Sequence, residues 1–282
     1  MEMIKHLYRS PQFRRMTLWL ASVYRRLLRA RARDFTDKVG HRSSLILAPH
    51  PDDETLGCGI TIMRKIAAGR PVQVIIATDG RHSHHSAKIS ASELAAIRQR
   101  EAIEACRVLG LGRDRIRFLE YEDQALLGDV AVVTGQLRKM IAEIGPQEIY
   151  LPSAIDSNPD HRALNAAALA AIEQAGAAVD IFEYPIWFWD PKAWIDIDAS
   201  PIAMAWQLLT RPIRTLFALR PVFVRSEEFL ARKRTAFAAH QSQATNLTGE
   251  KDWAVMDQQT LDLLIRDDEL FFLRPHPKAR NA

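Results

Sequence analysis

Cysteine and long apolar runs are scarce in this chain. Cys58 and Cys106 are the only two cysteines among 282 residues. One disulfide would be a thin framework for this length, so we expect two reduced cysteines in a core. The apolar stretch at residues 16–24 is too short to cross a bilayer and is followed by arginines. We therefore expect a cytoplasmic protein without a secretory signal or a membrane span.

Motifs that bind nucleic acids or dinucleotides are also missing. The net charge of +4 is only mildly basic, and no zinc-finger spacing or aromatic-basic RNA-binding motif accompanies it. Gly57 and Gly59 are followed by isoleucine at position 62, where a dinucleotide-binding loop has its third glycine. The aspartates just before these glycines would repel a pyrophosphate. We therefore exclude nucleic acids as partners and dinucleotides as cofactors.

Short apolar runs alternate with longer amphipathic segments through the middle of the chain. This alternation, sustained over about 140 residues, predicts an α/β fold. We expect a doubly wound, mostly parallel sheet with helices on both faces and C-terminal additions. The predicted strands are residues 43–48, 71–78, 115–120, 147–152 and 178–185, and the predicted helices are residues 54–69, 92–110, 128–145 and 161–176.

The two ends of the chain differ from this regular middle. We divide the chain into a basic N-terminal arm, residues 1–40, and one domain, residues 41–282. The sequence "IWFWDPKAWIDID" at 186–198 suggests further strands, and residues 226–243 are predicted to form a helix. No flexible linker separates these later segments from the domain.

Two arginine-rich apolar segments have open interpretations. In the first, residues 1–33, nine lysines and arginines face one acidic residue, Glu2. It is either an amphipathic helix packed on the domain or a helix resting on an anionic membrane surface at the inner face of the membrane. The second, residues 200–224, is either a membrane-facing flap or an interface between copies of the chain. Peripheral membrane contact and a homo-oligomer both stay open.

Histidine and aspartate are concentrated after the first and fourth predicted strands, in "PHPDDE" (49–54) and "SAIDSNPDHRA" (153–163). If the strand order is 3-2-1-4-5, these loops meet where ligands bind in doubly wound sheets. His50, Asp53 and His161 would then form a set that leaves positions open on a catalytic Zn²⁺, one per chain. Fe²⁺ accepts the same donors.

The neighbouring Asp52 has a separate predicted role. A bound cation lowers the cost of keeping Asp53 ionised beside Asp52. Because Asp52 is adjacent to a ligand without being one, we expect it to take a proton from water as a general base.

These residues resemble the PIG-L/LmbE family of zinc-dependent N-deacetylases. The likeness rests on "APHPDDETLGCG" (48–59) and "NPDHRA" (158–163) and extends over roughly residues 43–185. A separate segment, "KRTAFAAHQSQ" (233–243), resembles a C-terminal segment of many members. It implies a Rossmann-like fold and hydrolysis of an N-acetyl group, usually on N-acetylglucosamine. By motif position it also implies zinc ligands at His50, Asp53 and His161 and a general base at Asp52.

One position departs from the family pattern. Several members carry a histidine at Asn158, where it stabilises the oxyanion or protonates the leaving amine. Asn158 can donate a hydrogen bond but cannot transfer a proton, so Asp52, His240 or a loop histidine is the candidate acid. Asp160 either orients a ligand histidine or caps a helix. The candidates for substrate contact are Asp79, Arg81, Asp156 and His240.

The sequence therefore predicts a metal-dependent hydrolase that removes the acetyl group of an amino-sugar compound. That compound is a glycoconjugate, a lipid-linked sugar or a polysaccharide precursor. Two alternatives stay open: an amidohydrolase of a larger amide conjugate, and a catalytically silent sugar-binding module. Asp52 argues against the second, because a sugar binder needs no base beside a metal.

Overall fold

The computed structural model describes residues 11–196 and 199–274, which form one eight-stranded sheet surrounded by helices. The strands are β1 (Arg33–Asp34), β2 (Ser44–Ala48), β3 (Val72–Thr78), β4 (Ile116–Tyr121), β5 (Glu148–Pro152), β6 (Asp180–Tyr184), β7 (Pro221–Arg225) and β8 (Asp268–Arg274). The helices are α1 (Pro11–Arg31), α2 (Asp53–Ala67), α3 (Ala91–Leu109), α4 (Val130–Ile144), α5 (Pro159–Ala175), α6 (Pro201–Ala218), α7 (Glu227–Ala239), α8 (Gln241–Ala244) and α9 (Gln258–Leu264).

The strand order is β1-β7-β8-β6-β5-β2-β3-β4. Its part β6-β5-β2-β3-β4 is parallel throughout and has the expected order, with the first predicted strand beside the fourth. β8 runs antiparallel between β6 and β7, and β1 pairs in parallel with β7. The predicted α/β class with a mostly parallel sheet is confirmed.

Helices cover both faces of this sheet. Successive residues of a strand point to opposite faces. Accordingly, Leu45 and Leu47 of β2 pack in a cluster with α4 and α5, whereas Ile46 and Ala48 pack with α2 and α3. All five residues of β2 are buried, as expected for a central parallel strand. The doubly wound arrangement is therefore confirmed.

Local sequence signals set the ends of the long helix α3. The Ser90 hydroxyl accepts a hydrogen bond from the Glu93 backbone N–H, and the Glu93 carboxylate accepts one from the Ser90 N–H at 2.8 Å. This capping box satisfies two N–H groups at the helix start. The helix ends at Gly110, whose φ of +99° lies in the region that glycine adopts at low cost.

The segment 186–196 does not add the expected strands. It forms two 3₁₀ turns, Trp187–Trp189 and Pro191–Trp194. The Asp156 carboxylate accepts a hydrogen bond from the Trp187 N–H at 3.1 Å, and the Asp190 carboxylate accepts one from the Lys192 N–H at 2.8 Å. These side-chain contacts turn the backbone away from strand pairing. The sheet is extended instead by β7 and β8.

Within the predicted N-terminal arm, residues 11–31 form helix α1, which packs on the domain. Leu28 is fully buried, and Arg25 donates a hydrogen bond to Asp268 of β8 at 2.7 Å. Residues 1–10 of the arm lie outside the described residues, as do residues 197–198 of the segment predicted to add strands. The following strand β1 belongs to the same sheet as the domain. The division at residue 40 stays a prediction.

Cys58 and Cys106 are buried free thiols, as the sequence led us to expect. Burial raises the pKa of both thiols well above the ordinary value, so they stay protonated and unreactive. Among the helices of residues 11–196 and 199–274, none combines the length and the apolar character needed to cross a membrane.

Candidate metal centre

Two loops at the carboxyl edge of the sheet meet around the candidate centre. The loop from β2 to α2 carries His50 and Asp52, and Asp53 is the first residue of α2. The loop from β5 to α5 carries Asp156, and His161 lies in the first turn of α5. Because β2 and β5 are adjacent parallel strands, their carboxyl ends bring the two loops together. The convergence expected from the sequence is present.

Three donor atoms of the expected ligand set form a nearly equilateral triangle. Asp53 Oδ2 lies 3.2 Å from His50 Nδ1 and 3.2 Å from His161 Nε2, and these two nitrogens are 3.3 Å apart. Donors around a tetrahedral zinc at about 2.0–2.1 Å stand about 3.3–3.4 Å from one another. All three residues are buried. The donor types and their spacing therefore fit a small divalent cation.

Two carboxylates orient the ring of His50. Its Nε2 lies 3.2 Å from Asp123 Oδ1 and 3.4 Å from Asp160 Oδ2. Asp160 also accepts backbone N–H groups from Gln124 at 2.7 Å and Leu126 at 3.2 Å. These partners favour a proton on Nε2 and leave Nδ1 free to bind a cation. His50, Asp123 and Asp160 form a second potential cation group, but the backbone donors already occupy Asp160.

A third carboxylate lies beside His161. Asp156 Oδ2 is 3.2 Å from His161 Nδ1, and the Asp156 side chain has no exposed surface. Its two oxygens also accept the backbone N–H groups of Asn158 at 2.9 Å and Trp187 at 3.1 Å. The geometry therefore does not support Asp156 as a substrate-binding residue. It favours a role in orienting His161.

The electrostatics of the cluster favour a positive ion. Burial alone would lower the pKa of His161, but Asp53 and Asp156 raise it to about 9. Burial likewise opposes protonation of His50, yet its carboxylate partners raise the pKa of His50 well above the ordinary value. Burial would raise the pKa of Asp53, but His161 and His50 hold it well below the ordinary value. A divalent cation between these groups would supply the positive charge that the carboxylates attract.

Asp52 lies beside this triangle in an unusual backbone conformation. Its φ of +153° is rare for a residue with a side chain, and such strain is concentrated at functional sites. Asp52 Oδ2 accepts a hydrogen bond from Arg98 Nη2 at 3.1 Å, and the same nitrogen donates to the Pro51 carbonyl at 2.8 Å. Burial raises the pKa of Asp52 to about 6, although the charge of Arg98 opposes this shift.

Comparison with known proteins agrees with this geometry. Residues 45–172 match the family described as PIG-L: GlcNAc-PI de-N-acetylase. This segment is similar to PIG-L domains. The chain is 30% identical over 139 residues to a probable N-acetyl-alpha-D-glucosaminyl L-malate deacetylase 2 of Bacillus cereus, covering 47% of this chain and 62% of that protein. It is 29% identical over 173 residues to a 1D-myo-inositol 2-acetamido-2-deoxy-alpha-D-glucopyranoside deacetylase of Rhodococcus jostii, covering 52% and 57%. The matched region of this chain thus spans less than two thirds of the length of each of these relatives.

Solved structures share the fold of the matched segment and its surroundings. N,N'-diacetylchitobiose deacetylase from Pyrococcus horikoshii superimposes with a TM-score of 0.59 at 22% identity, over 86% of this chain and 87% of that one. The conserved protein TT1542 from Thermus thermophilus gives 0.54 at 26% identity, over 84% and 96%. These likenesses extend beyond the segment that the family match covers.

Two residues at this site were not predicted from the sequence. Asp123 follows β4, whose carboxyl end lies at the same edge of the sheet, so its position was a usable signal. Arg98 lies on α3 and is buried, and nothing in its local sequence indicates this contact. Gly80 leaves room for Arg98, since a Cβ there would lie 2.4 Å from Arg98 Nη1.

The predicted substrate-binding residues Asp79 and Arg81 lie in the loop after β3 and pair with each other. Arg81 Nε donates to Asp79 Oδ2 at 2.6 Å, and the Arg81 side chain is 35% exposed. His240, by contrast, is fully buried, with Nε2 3.3 Å from Glu54 Oε1 and 3.3 Å from Thr55 Oγ1. This position does not support direct substrate contact by His240.

Asn158 lies at the start of α5, where its side chain caps the helix. Its Oδ1 accepts a hydrogen bond from the Asp160 N–H at 2.8 Å. The cap is therefore Asn158, and Asp160 is instead the residue that contacts His50. The predicted orienting role of Asp160 agrees with this geometry, whereas the predicted oxyanion role of Asn158 stays a prediction.

The C-terminal segment 233–243 stabilises the helices behind the centre. Lys233 Nζ donates to the Leu56 carbonyl of α2 at 2.7 Å and to Glu269 at 2.7 Å. The Ser242 N–H and hydroxyl donate to the Glu101 carboxylate of α3 at 2.8 and 2.6 Å. This segment, likened to the family from its sequence alone, thus makes contacts that hold α2 and α3 in place.

Proposed function

We propose that this protein is a metal-dependent hydrolase that removes the N-acetyl group of an N-acetylglucosamine-type amino sugar. The observation that carries the proposal is the buried triangle of His50, Asp53 and His161 donor atoms, with spacings of 3.2–3.3 Å, beside the carboxylate of Asp52. An acetamide is hydrolysed when a water molecule is activated and the amide carbonyl is polarised. A metal ion at such a triangle supports both steps.

The proposed ligands are His50, Asp53 and His161, and the proposed ion is one Zn²⁺ per chain. Two imidazoles and one carboxylate are a common catalytic zinc set, which leaves a further position for water or substrate. Fe²⁺ accepts the same donors, so metal content has to be measured. When bound, such an ion lowers the pKa of a coordinated water and polarises a carbonyl group.

Asp52 is the proposed general base. It is next to Asp53 in the chain, yet its Oδ2 contacts Arg98 and takes no part in the triangle of donors. In the proposed reaction Asp52 accepts a proton from the attacking water and returns it to the nitrogen of the leaving amine. Arg98 is a positioning residue, because it binds both the Asp52 carboxylate and the preceding Pro51 carbonyl.

Asn158 and Arg81 are the proposed contacts to the substrate. The Asn158 Oδ1 is used in the helix cap, which leaves the NH₂ group as the donor for the oxyanion that develops on the acetamide. Arg81 and Asp79 lie at the same edge of the sheet, and the exposed part of Arg81 is suited to bind sugar hydroxyls or a phosphate. Asp156, Asp160 and Asp123 orient the ligand histidines.

The substrate class is inferred from the relatives. By their names, the Bacillus cereus and Rhodococcus jostii proteins act on an N-acetylglucosaminyl malate and on an inositol-linked 2-acetamido-2-deoxyglucopyranoside. A Thermococcus kodakarensis relative is named diacetylchitobiose deacetylase. The shared unit is an N-acetylglucosamine-type sugar with a varied aglycone. We therefore propose that unit as the substrate, in a glycoconjugate, a lipid-linked sugar or a polysaccharide precursor.

The test combines metal analysis with acetate release from a panel of N-acetylated sugars. Asp52→Asn should lower acetate release at least about 100-fold, as expected for loss of a general base, while bound metal stays unchanged. His161→Ala should lower the bound metal itself. The matched control is Asp114→Asn, which should behave as wild type. The carboxylate of Asp114 is exposed, with a side chain that is 76% accessible.

Four results would contradict the proposal. The first is an absence of bound metal in protein prepared without chelators. The second is a wild-type rate for Asp52→Asn. The third is release of larger acyl groups or amines without acetate, which would favour the amidohydrolase. Sugar binding with no hydrolysis of any panel member would favour the silent binding module.

A further inference from the structure

Exposed apolar side chains are concentrated on two helices away from the metal centre. In the described part of the chain, fourteen large apolar side chains are exposed, and ten of them lie on α1 and α6. Soluble proteins rarely leave such residues grouped, so a contiguous group indicates a surface that binds something. The ten residues are Met16, Trp19, Leu20, Leu27, Ile202, Trp206, Leu208, Leu209, Ile213 and Phe217.

On α6 these side chains form a single stripe. Ile202, Trp206, Leu209, Ile213 and Phe217 follow one another at intervals of three or four residues, the spacing that places side chains on one helix face. Their exposed fractions range from 53% to 84%. The face is therefore open along the length of the helix.

On α1 the exposed stripe lies opposite the buried one. Met16, Leu20 and Leu27 are each about half exposed, and Trp19 is 64% exposed. The fully buried Leu28 lies on the side that packs on the domain. The same helix thus uses one face for the core and leaves another apolar face outside.

The two stripes adjoin. The Tyr24 hydroxyl of α1 donates a hydrogen bond to the Pro212 carbonyl of α6 at 3.0 Å. At the end of the stripes, the Arg31 guanidinium lies 5.1 Å from the centre of the exposed Phe217 ring. The exposed faces of α1 and α6 therefore make one surface, which we call the apolar platform.

The charge around the apolar platform has one sign. Neither residues 11–31 nor residues 199–220 contain an aspartate or a glutamate. Two arginines of α1, Arg25 and Arg29, are used inward against Asp268. The remaining arginines around the platform that the structure describes as exposed are Arg15, Arg26, Arg31, Arg211, Arg214 and Arg220.

We propose that the apolar platform docks the protein onto the surface of an anionic lipid bilayer. Tryptophan, leucine and phenylalanine on one face with arginines beside them are typical of helices that lie in a membrane interface. Arginines near a bilayer are attracted by anionic headgroups. A second copy of the chain is a poor occupant, because two identical platforms would bring arginines against arginines.

This inference goes beyond the proposed deacetylase and does not depend on it. Docking involves residues of α1 and α6 that take no part in the ligand triangle or in the contacts of Asp52. The helices lie on the bilayer and do not cross it. If the substrate is lipid-linked, docking would also bring enzyme and substrate to the same surface.

The test is co-sedimentation of the full chain with two kinds of vesicle, pure phosphatidylcholine and phosphatidylcholine mixed with phosphatidylglycerol. We expect wild type to sediment with the anionic vesicles only. Leu209→Asp combined with Ile213→Asp, and separately Arg26→Glu combined with Arg214→Glu, should each lower binding at least about tenfold. The control is Leu127→Asp combined with Val132→Asp. These two side chains are 66% and 57% exposed and lie outside the apolar platform, so their substitution should leave binding unchanged.

Light scattering and acetate release accompany this measurement. All variants should be monomeric and release acetate from a soluble substrate at the wild-type rate, which separates docking from catalysis. The proposal is overturned if wild type stays in the supernatant with anionic vesicles, or if the platform variants sediment like wild type. A dimer that Leu209→Asp and Ile213→Asp dissociate would also overturn it, in favour of a second copy.

Discussion

The buried ion pair of Lys233 and Glu269 offers a direct test of what holds α2 in place. Their charged atoms lie 2.7 Å apart, and both side chains are at most 2% exposed. The Lys233 ammonium also donates to the Leu56 carbonyl at 2.7 Å. The Glu269 carboxylate accepts the backbone N–H groups of Ile60 at 2.8 Å and Thr61 at 2.9 Å. The pair thus binds the middle of the helix whose first turn carries Asp53.

The expected cost of breaking the pair is large. Lys233→Met keeps much of the side-chain volume but leaves the Glu269 carboxylate buried without a counter-charge. Removing one partner of a buried ion pair costs about 3–5 kcal/mol, and we expect a loss of unfolding free energy in that range. Lys233→Met combined with Glu269→Gln removes both charges. The double variant should therefore be less destabilised than the sum of the single variants by about 1–3 kcal/mol.

Equilibrium unfolding in urea measures these differences. Lys139→Met, at an exposed position of α4, is the control and should change the free energy of unfolding by less than about 0.5 kcal/mol. The reasoning is refuted if Lys233→Met costs less than about 1 kcal/mol. It is also refuted if the two single costs simply add.

Two further predictions concern stability. Burial would raise the pKa of Asp268, but Arg25 and Arg29 of α1 hold this pKa below the ordinary value. The ionised Asp268 therefore stabilises the fold above a pH of about 4, and this stabilisation is lost as the pH falls further. The difference in unfolding free energy between wild type and Asp268→Asn should therefore shrink on acidification; a constant difference contradicts this. Gly57→Ala should cost about 1–3 kcal/mol in urea unfolding, because its Cβ would lie 2.6 Å from the Tyr184 ring, whereas Gly135→Ala on open α4 surface should not destabilise. Equal effects at both glycines would show that the contact with Tyr184 is not the cause.

Much of the fold could be predicted because its signals are local. Alternating apolar runs and amphipathic segments set the five strands β2 to β6 and the helices between them. The common doubly wound order then placed the carboxyl ends of β2 and β5 side by side. For that reason His50 and His161, separated by 111 positions in the chain, could be expected to meet.

The side of the sheet formed by β1, β7 and β8 could not be predicted in the same way. β8 pairs antiparallel with both β6 and β7, and β1 joins the edge beside β7. Such pairings depend on which surface the rest of the domain leaves open. In addition, β1 has only two residues, too few to show any periodicity. The segment 186–196 shows the converse, since its aromatic residues suggested strands while side-chain contacts turned its backbone.

The sequence by itself determined the elements that carry the site and the residue types that converge there, because parallel strands end at one edge of the sheet. Only the tertiary structure decided what each polar side chain contacts. It placed Arg98 against Asp52, and it buried Asp156 beside His161 and His240 beside Glu54. The physical reason is that burial and pairing depend on neighbours that are distant in the chain, whereas strand and helix formation depends on neighbours that are close.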